Sequence, residues 1–188
     1  MATKPLSTNS PTRPPLGAEP TLSIGPSREV PGEFQLVAEQ TLPGPRADVF
    51  AFFADAFQLE RITPAWLHFA VLASRPLDIQ TGTLIDYRLR LHGLPLRWKT
   101  RIREWEPPFR FVDEQLKGPY RRWHHEHTFL EAGPDTLVRD IVDYRVPGGV
   151  LIHSLFVKHD LRRIFHFRQA ALSRLFHDCA GPMSRPTP

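Results

Sequence analysis

Alternating apolar and polar positions dominate the middle of the chain. Between residues 122 and 129, Trp123, His125, His127 and Phe129 occupy every second position, and polar or charged residues separate them. Successive side chains of a β-strand point to opposite faces of the sheet. The pattern therefore predicts a strand with an aromatic and imidazole face toward the interior and a polar face toward solvent. A wall of this kind is typical of a small-molecule pocket.

Similar alternation predicts about seven strands in all. They cover residues 34–42, 66–74, 82–92, 97–103, 110–117, 118–129 and 136–146. Two short helices are expected at 46–53 and 57–62, and an apolar stripe of helical period predicts one long helix over 150–178. This order predicts an α+β fold, in which a curved antiparallel sheet surrounds the C-terminal helix and leaves an internal cavity.

The first 33 residues have a different composition. Seven prolines stand among Ser, Thr and Gly, with only scattered aliphatic residues. Such a segment buries too little apolar surface to offset the entropy of ordering it. The sequence therefore predicts a disordered Pro-rich tail at 1–33, one ligand-binding domain at 34–178 and a flexible C-terminus at 179–188.

Composition and charge exclude several classes of protein. The net charge of +4 is a mild excess of basic residues, so nucleic acid is not expected as a partner. No signal-peptide core and no apolar run long enough to span a bilayer is present in the sequence, and the single Cys179 excludes an internal disulfide and a cysteine metal cluster. These features favour a cytoplasmic protein.

Motifs for common cofactors are also missing from the sequence. It contains no zinc-finger spacing, no Walker loop and no dinucleotide fingerprint. We therefore predict no cofactor and no metal.

Five short blocks resemble a known superfamily. They are LPLRW (94–98), EPPFRF (106–111), GPY (118–120), WHHEH (123–127) and DIVDY (140–144). Together with the predicted order of elements, they resemble the SRPBCC superfamily of START-like, helix-grip proteins, which includes polyketide cyclases and coenzyme Q-binding START proteins. The resemblance spans about Phe34 to Phe176 and is most specific for a bacterial branch described only as ligand-binding. It implies a helix-grip fold with a hydrophobic cavity, but it supplies no catalytic motif.

A predicted hairpin brings a carboxylate opposite an imidazole. A turn at Gly133 and Pro134 pairs His127 with Asp140, His125 with Val142 and Trp123 with Tyr144. Asp140 would then orient the His127 ring and raise its pKa, which suits a general base or a hydrogen-bond donor to a ligand. His127 and Asp140 are thus the candidate catalytic residues. The alternative is a structural pair that holds two strands in register.

Two further arrangements are compatible with the same strands. His125 and His127 could place two imidazoles on one metal ion, with Asp140 as a third ligand. Asp113 and Gln115 share a strand face with Phe111, so they either project into the cavity or lie at a twisted sheet edge.

The predicted ligand contacts are the inward-facing aromatic, imidazole and apolar side chains of the paired strands. They are Tyr87, Trp98, Phe111, Trp123, His125, His127, Phe129, Val142 and Tyr144.

Two functions follow from these expectations. The favoured one is non-catalytic binding or transport of a hydrophobic small molecule, such as a lipid, an isoprenoid, a quinone or a polyketide-like compound. The alternative is an enzyme of the cyclase or aromatase type, in which His127 and Asp140 transfer a proton.

A basic outer face suggests one more partner. The residues concerned are Arg88, Arg90, Arg97, Lys99, Arg101 and Arg103 on the strands, with Lys158, Arg162, Arg163, Phe156 and Phe167 on the helix. These side chains are most simply a solvated surface, and they would also suit a weak peripheral contact with anionic membranes.

Overall fold

An eight-stranded antiparallel sheet forms the framework of the protein. The computed structural model describes residues 19–179, with the side chain of Cys179 left out. The strands are β1 (Thr21–Pro26), β2 (Phe34–Leu42), β3 (Ala70–Val71), β4 (Leu84–Leu91), β5 (Leu94–Glu106), β6 (Arg110–Lys117), β7 (Arg122–Ala132) and β8 (Asp135–Arg145). Their order in the sheet is β1-β2-β8-β7-β6-β5-β4-β3.

Helices lie in two places along the chain. The first group comprises α1 (Arg46–Ala54) and two 3₁₀ segments, Ala56–Glu60 and Ala65–Leu67. The second group comprises α2 (Gly149–Ile152), a π-helical turn (His153–Val157) and α3 (Lys158–Cys179). An open antiparallel sheet with a long C-terminal helix is the predicted helix-grip α+β fold, which is confirmed. None of the helices within residues 19–179 combines the length and the apolar character needed to cross a membrane.

The long helix packs its apolar stripe against the sheet. Leu161 and Phe165 join one buried cluster with Phe34 and Tyr144, and Leu172 joins a second cluster with residues of α1 and β7. A third cluster forms at the other end of the sheet, around Ile79, Ile85, Tyr87 and Ile102. Among the described residues, none of α3 belongs to this third cluster, and a cavity remains between the helix and this part of the sheet.

The hairpin of β7 and β8 has the predicted register. His127 lies opposite Asp140, His125 opposite Val142 and Trp123 opposite Tyr144. Gly133, in the connecting turn, has a φ of 74°, a conformation that glycine adopts without steric cost. A short turn of fixed geometry sets the pairing of both strands, so the sequence was sufficient to predict it.

The predicted disordered tail at 1–33 requires a correction. Thr21–Pro26 forms β1, which pairs with β2 from Thr21 opposite Glu39 to Pro26 opposite Phe34. Leu22 and Ile24 pack against the cluster around Phe34, and Gln169 of α3 donates a hydrogen bond to the Thr21 carbonyl over 2.9 Å. These long-range contacts order a strand that its local composition does not predict. Residues 1–18 and 180–188 lie outside the described part of the chain, so the expectations for them remain predictions.

Three other elements differ from the sequence-based expectation. The predicted strand 66–74 is reduced to the two-residue β3, because Ala65–Leu67 is a 3₁₀ turn and His68 adopts a φ of 43°. The predicted helix 57–62 is a 3₁₀ segment that ends at Glu60. The single helix predicted from 150 is interrupted by the π-helical turn. With β1, the sheet therefore has eight strands in place of seven.

Truncation will test the role of β1. We expect removal of residues 1–26 to lower the melting temperature by about 5–10 °C relative to removal of residues 1–18. The physical reason is the loss of the Leu22 and Ile24 contacts and of the pairing with β2, together worth roughly 2–3 kcal/mol. Thermal unfolding followed by circular dichroism measures both truncations. Equal melting temperatures would show that β1 contributes little to stability.

Candidate functional site

A cavity of about 200 Å³ lies between the long helix, the 3₁₀ segments and the sheet. Its wall is largely apolar and aromatic. The sheet contributes Tyr87, Trp98, Phe111 and Trp123, the 3₁₀ region contributes Leu59 and Ile62, and α3 contributes Leu161, Ile164 and Phe165. Because these elements are far apart in sequence, the cavity exists only in the folded chain.

Strand β7 faces the cavity as its alternation predicted. Trp123, His125, His127 and Phe129 are buried, whereas Arg122 on the opposite face is exposed. The ring of Trp123 lies edge-on to that of Trp98 with 5.3 Å between centroids, and Tyr120 lies 4.7 Å from Trp123. These three rings form an aromatic section of the cavity wall.

Two histidines and two aspartates form a buried cluster on β6, β7 and β8. His127 Nδ1 lies 2.6 Å from Asp140 Oδ1, and His127 Nε2 lies 3.1 Å from Asp113 Oδ2. His125 Nε2 lies 3.3 Å from the same Asp140 oxygen, and His125 Nδ1 lies 3.6 Å from Asp113 Oδ2. Each imidazole is therefore bracketed by the same two carboxylates. This Asp–His cluster consists of Asp113, His125, His127 and Asp140.

The contacts within the Asp–His cluster differ in their hydrogen-bond geometry. The contact of His127 Nε2 with Asp113 has hydrogen-bond geometry. His127 Nδ1, His125 Nε2 and Asp140 Oδ1 are buried without a well-directed hydrogen bond, although they lie close together. Asp140 therefore acts on the His127 ring chiefly through its charge. The rings themselves are 3.7 Å apart between centroids, and Phe111 stacks on His127 at 4.2 Å.

Burial and charge shift the pKa values of the cluster in opposite directions. Burial alone raises the pKa of both Asp113 and Asp140, but the neighbouring imidazoles outweigh it and lower both values. Burial lowers the pKa of His127, yet the two carboxylates reverse this effect and raise it. The pKa of His125 stays below its ordinary value because of burial and the adjacent charge of His127. When one of the two imidazoles is protonated, the proton therefore resides mainly on His127 rather than on His125.

The cavity includes several of the predicted ligand contacts. Tyr87, Trp98, Phe111, Trp123, His125 and His127 line it, and Asp113 does so as well. Gln115 instead binds the backbone of Tyr120, donating to its carbonyl over 2.7 Å. The role of the lining residues in ligand contact remains a prediction.

Three of the predicted ligand contacts lie in the core instead. Phe129 packs among Phe50, Phe111 and Leu172, and its ring lies 5.2 Å from that of Phe50. Val142 and Tyr144 pack with the first strands and α3, outside the cavity lining. These inward-facing side chains lie where helices cover the sheet, so we no longer propose them as ligand contacts.

Sequence reasoning missed Arg168 as a cavity residue. It follows Phe165 by one helical turn, and its guanidinium lies 5.1 Å from the Phe165 ring centroid. Its Nε is buried without a hydrogen-bond partner in the described part of the chain. The apolar stripe of α3 could have indicated this position, because residues three apart share a helix face. The cavity lining therefore includes a cation in addition to the imidazoles and the carboxylate of Asp113.

Several solved structures have a fold similar to that of this chain. A protein from Mycobacterium smegmatis, Ms6760, matches with a TM-score of 0.62 and 13% identity, over 85% of this chain and 99% of the other. A protein from Arthrobacter aurescens matches with a TM-score of 0.62 and 17% identity, over 81% and 91%. The ginseng (Panax ginseng) major latex-like protein 151 matches with a TM-score of 0.57 and 12% identity, over 77% and 97%. At these identities, the likeness establishes the fold alone.

Comparison at the level of sequence identifies the family. No curated protein sequence matches significantly. Residues 42–172 match the family model described as "Polyketide cyclase / dehydrase and lipid transport". The matched region extends from the end of β2 to α3 and contains the whole Asp–His cluster. The chain therefore belongs to the polyketide cyclase/dehydrase and lipid transport family, within the SRPBCC superfamily.

Proposed function

We propose that the protein binds or transports a hydrophobic small molecule in its internal cavity without transforming it. The observation that carries this proposal is the character of the cavity, whose wall is largely apolar and aromatic and carries a minority of polar groups, among them Asp113, His125, His127 and Arg168. Such a wall recognises apolar surface, and a few convergent polar groups fix the orientation of a bound molecule.

The polar groups narrow the chemistry of the ligand. The imidazoles of His125 and His127 line the cavity, and Arg168 offers a cation whose Nε has no hydrogen-bond partner among the described residues. Both favour an oxygen function on the ligand, such as a carbonyl, a phenol or a carboxylate. The rings of Trp98, Tyr120 and Trp123 favour a flat ring system beside it. Quinone-like, polyketide-like and isoprenoid compounds with an oxygenated end meet these requirements, as would a lipid with a compact head group.

Native mass spectrometry is the direct test of the carrier proposal. Protein purified from its own host should retain a small molecule of defined mass, which organic solvent releases. An apolar fluorescent probe should compete with that molecule for the cavity. A full-length protein that carries no small molecule and binds neither the probe nor any compound of the classes above would contradict the proposal.

Substitution of the aromatic wall will locate the binding site. We expect Trp123→Ala to weaken binding of the apolar probe about tenfold, because it removes a large ring from the cavity wall, worth roughly 1–2 kcal/mol. The control is His124→Ala, on the opposite face of the same strand, which should change affinity less than twofold. Fluorescence titration measures both. Equal effects of the two substitutions would place the probe outside the cavity.

One observation favours the cyclase or aromatase alternative. His127 is buried between two carboxylates, its pKa is raised, and it lines the cavity, which is a suitable arrangement for a general base. In such an enzyme the His127 imidazole would take a proton from a poly-carbonyl chain folded in the cavity. Asp140 would stabilise the imidazolium that forms.

His127→Gln separates the carrier from the enzyme. Glutamine keeps a hydrogen-bonding group of similar size but cannot accept a proton near neutral pH. For a carrier, we expect the variant to keep probe affinity within about fivefold. We also expect the wild-type protein to convert no member of a panel of polyketide-like and quinone-like compounds, as followed by liquid chromatography and mass spectrometry. Wild-type turnover that disappears in His127→Gln while binding persists would establish the enzyme.

The predicted membrane contact divides into two parts in the structure. Phe156 is 51% exposed. Also exposed, to different extents, are Leu155 in the same π-helical turn and the apolar residues Val150, Leu151 and Ile152 of α2. Phe167 instead packs edge-on against Trp66, with 6.1 Å between ring centroids. A peripheral contact would therefore involve Phe156 and its neighbours rather than both phenylalanines. This contact and the cytoplasmic location remain predictions.

A further inference from the structure

We propose that Asp113, His125 and His127 bind a divalent transition-metal ion, with one coordination position open toward the cavity. The sequence alone suggested a metal site with Asp140 as the third ligand, whereas this proposal has Asp113 in that position. It does not depend on the identity of the apolar ligand. Four features of the Asp–His cluster support it.

The first feature is the spacing of the donor atoms. Asp113 Oδ2 lies 3.1 Å from His127 Nε2 and 3.6 Å from His125 Nδ1, and one donor atom from each residue falls within 4.8 Å of the others. Metal–ligand bonds of about 2.0–2.2 Å at tetrahedral angles separate neighbouring donor atoms by roughly 3.4 Å. The three side chains are therefore already spaced as ligands of one ion.

The second feature is the type of donor. Two imidazole nitrogens and one carboxylate oxygen suit zinc and the neighbouring first-row transition metals. Calcium and magnesium prefer sets made only of oxygen donors. The site is therefore expected to select a transition-metal ion rather than either of these.

The third feature is the position of Asp140. It contacts the nitrogens that the ion would not use, His127 Nδ1 and His125 Nε2. A carboxylate on the second nitrogen of a metal-bound histidine orients the ring and increases its basicity. Asp113 thus takes the place of Asp140 as the third ligand, Asp140 takes the outer role, and the ligand set differs from the one that the strand pairing alone suggested.

The fourth feature is the charge of the cluster. Among the described residues, no lysine or arginine nitrogen lies within 4.0 Å of the carboxylates of Asp113 and Asp140, which contact only histidines. Carboxylates with so little exposure are costly when no lysine or arginine is in direct contact with them, and a divalent ion beside the imidazoles would balance their charge.

The location of the three ligands on the cavity wall determines what the fourth coordination position of the ion would bind. Asp113, His125 and His127 line the cavity, whereas Asp140 does not. The fourth position of a tetrahedral ion would therefore point toward the cavity, where an oxygen of the apolar ligand could occupy it. Arg168 of α3 also lines the cavity, and its positive charge favours an anionic oxygen there.

Titration of the full-length protein with cobalt tests the proposal. After removal of metals with EDTA, which is then dialysed away, we expect one Co²⁺ per chain to bind with a dissociation constant below about 10 μM. Visible absorption bands of a four-coordinate site should appear, and Zn²⁺ should displace the cobalt. Asp113→Asn and His125→Gln should each weaken binding at least 100-fold, and Asp140→Asn about 10–100-fold. His124→Gln, on the outer face of β7, should leave affinity unchanged within twofold.

A second measurement needs no substitution in the site. In the wild-type protein, nitrogen-15 spectra of the imidazole side chains should show Zn²⁺ shifting the signals of His125 and His127 but not those of the other histidines. Failure of 100 μM Co²⁺ or Zn²⁺ to bind, or binding that leaves these two signals unmoved, would overturn the proposal. Probe titration with the metal-free protein is independent of this result, so failure of the metal site and failure of the apolar cavity are distinguished.

Discussion

Asp140→Ala is expected to lower the free energy of unfolding by about 3–5 kcal/mol and the melting temperature by about 10 °C. Asp140 is only 6% exposed and, within residues 19–179, is the one carboxylate that lies against His127 Nδ1 and His125 Nε2. Alanine removes this charge and leaves both imidazoles buried beside a void. The loss is large because His127 Nδ1 and His125 Nε2 are left without the charged group that lies against them.

The same substitution should change the dependence of stability on pH. The pKa of Asp140 is lowered in the folded protein, so an unfolded chain binds more protons at acid pH than the folded one. The stability that Asp140 contributes is therefore complete above its unfolded pKa of about 3.9 and is lost as the pH falls through the acid range. In Asp140→Ala, the part of the loss of stability at acid pH that comes from Asp140 should be absent. Urea unfolding at pH 7 and at several acid pH values, in the presence of EDTA, measures both effects.

Asp143 provides a matched control on the same strand. It points to the outer face, where its Oδ1 accepts a hydrogen bond from Gln35 over 2.9 Å. Asp143→Ala removes a carboxylate from β8 without opening the core, so we expect a loss below about 1 kcal/mol. Equal losses for Asp140→Ala and Asp143→Ala would show that the Asp–His cluster contributes nothing special to stability.

The features that the sequence predicted correctly depend on local geometry. The inward face of β7 follows from strand alternation, and the pairing of His127 with Asp140 follows from one turn at Gly133. The long helix follows from the period of its apolar stripe. In each case, neighbouring residues in the sequence determine the result.

The features that the sequence did not predict depend on contacts between distant segments. β1 is ordered by β2 and α3, and Asp113 reaches the two histidines only because β6 pairs with β7. Alternation likewise cannot show which inward positions line a cavity. Phe129 and Tyr144 face inward like His127, but helices cover them, whereas His127 lies where the layers separate. The placement of the helices over the sheet decides this difference.

Filling the cavity from the helix should abolish ligand binding while the fold survives. Ile164 is half-buried on α3 and lines the cavity opposite the sheet. The larger ring in Ile164→Trp would occupy space that a ligand needs, so we expect affinity for an apolar probe to fall by more than tenfold. Overpacking a partly open site costs about 1–3 kcal/mol, which lowers the melting temperature by several degrees but leaves the protein folded.

The matched control for the filled cavity is His166→Trp, two residues along the same helix on its exposed side. It introduces the same side chain at a position away from the cavity and should leave probe affinity within twofold of the wild type. Native mass spectrometry from the original host should detect a bound small molecule in His166→Trp but not in Ile164→Trp, with circular dichroism confirming that both are folded. Because Ile164 belongs neither to the Asp–His cluster nor to its immediate strands, the metal affinity of Ile164→Trp should remain close to that of the wild type. Unchanged probe binding by a folded Ile164→Trp protein would move the ligand out of the cavity, and with it the basis of the carrier proposal.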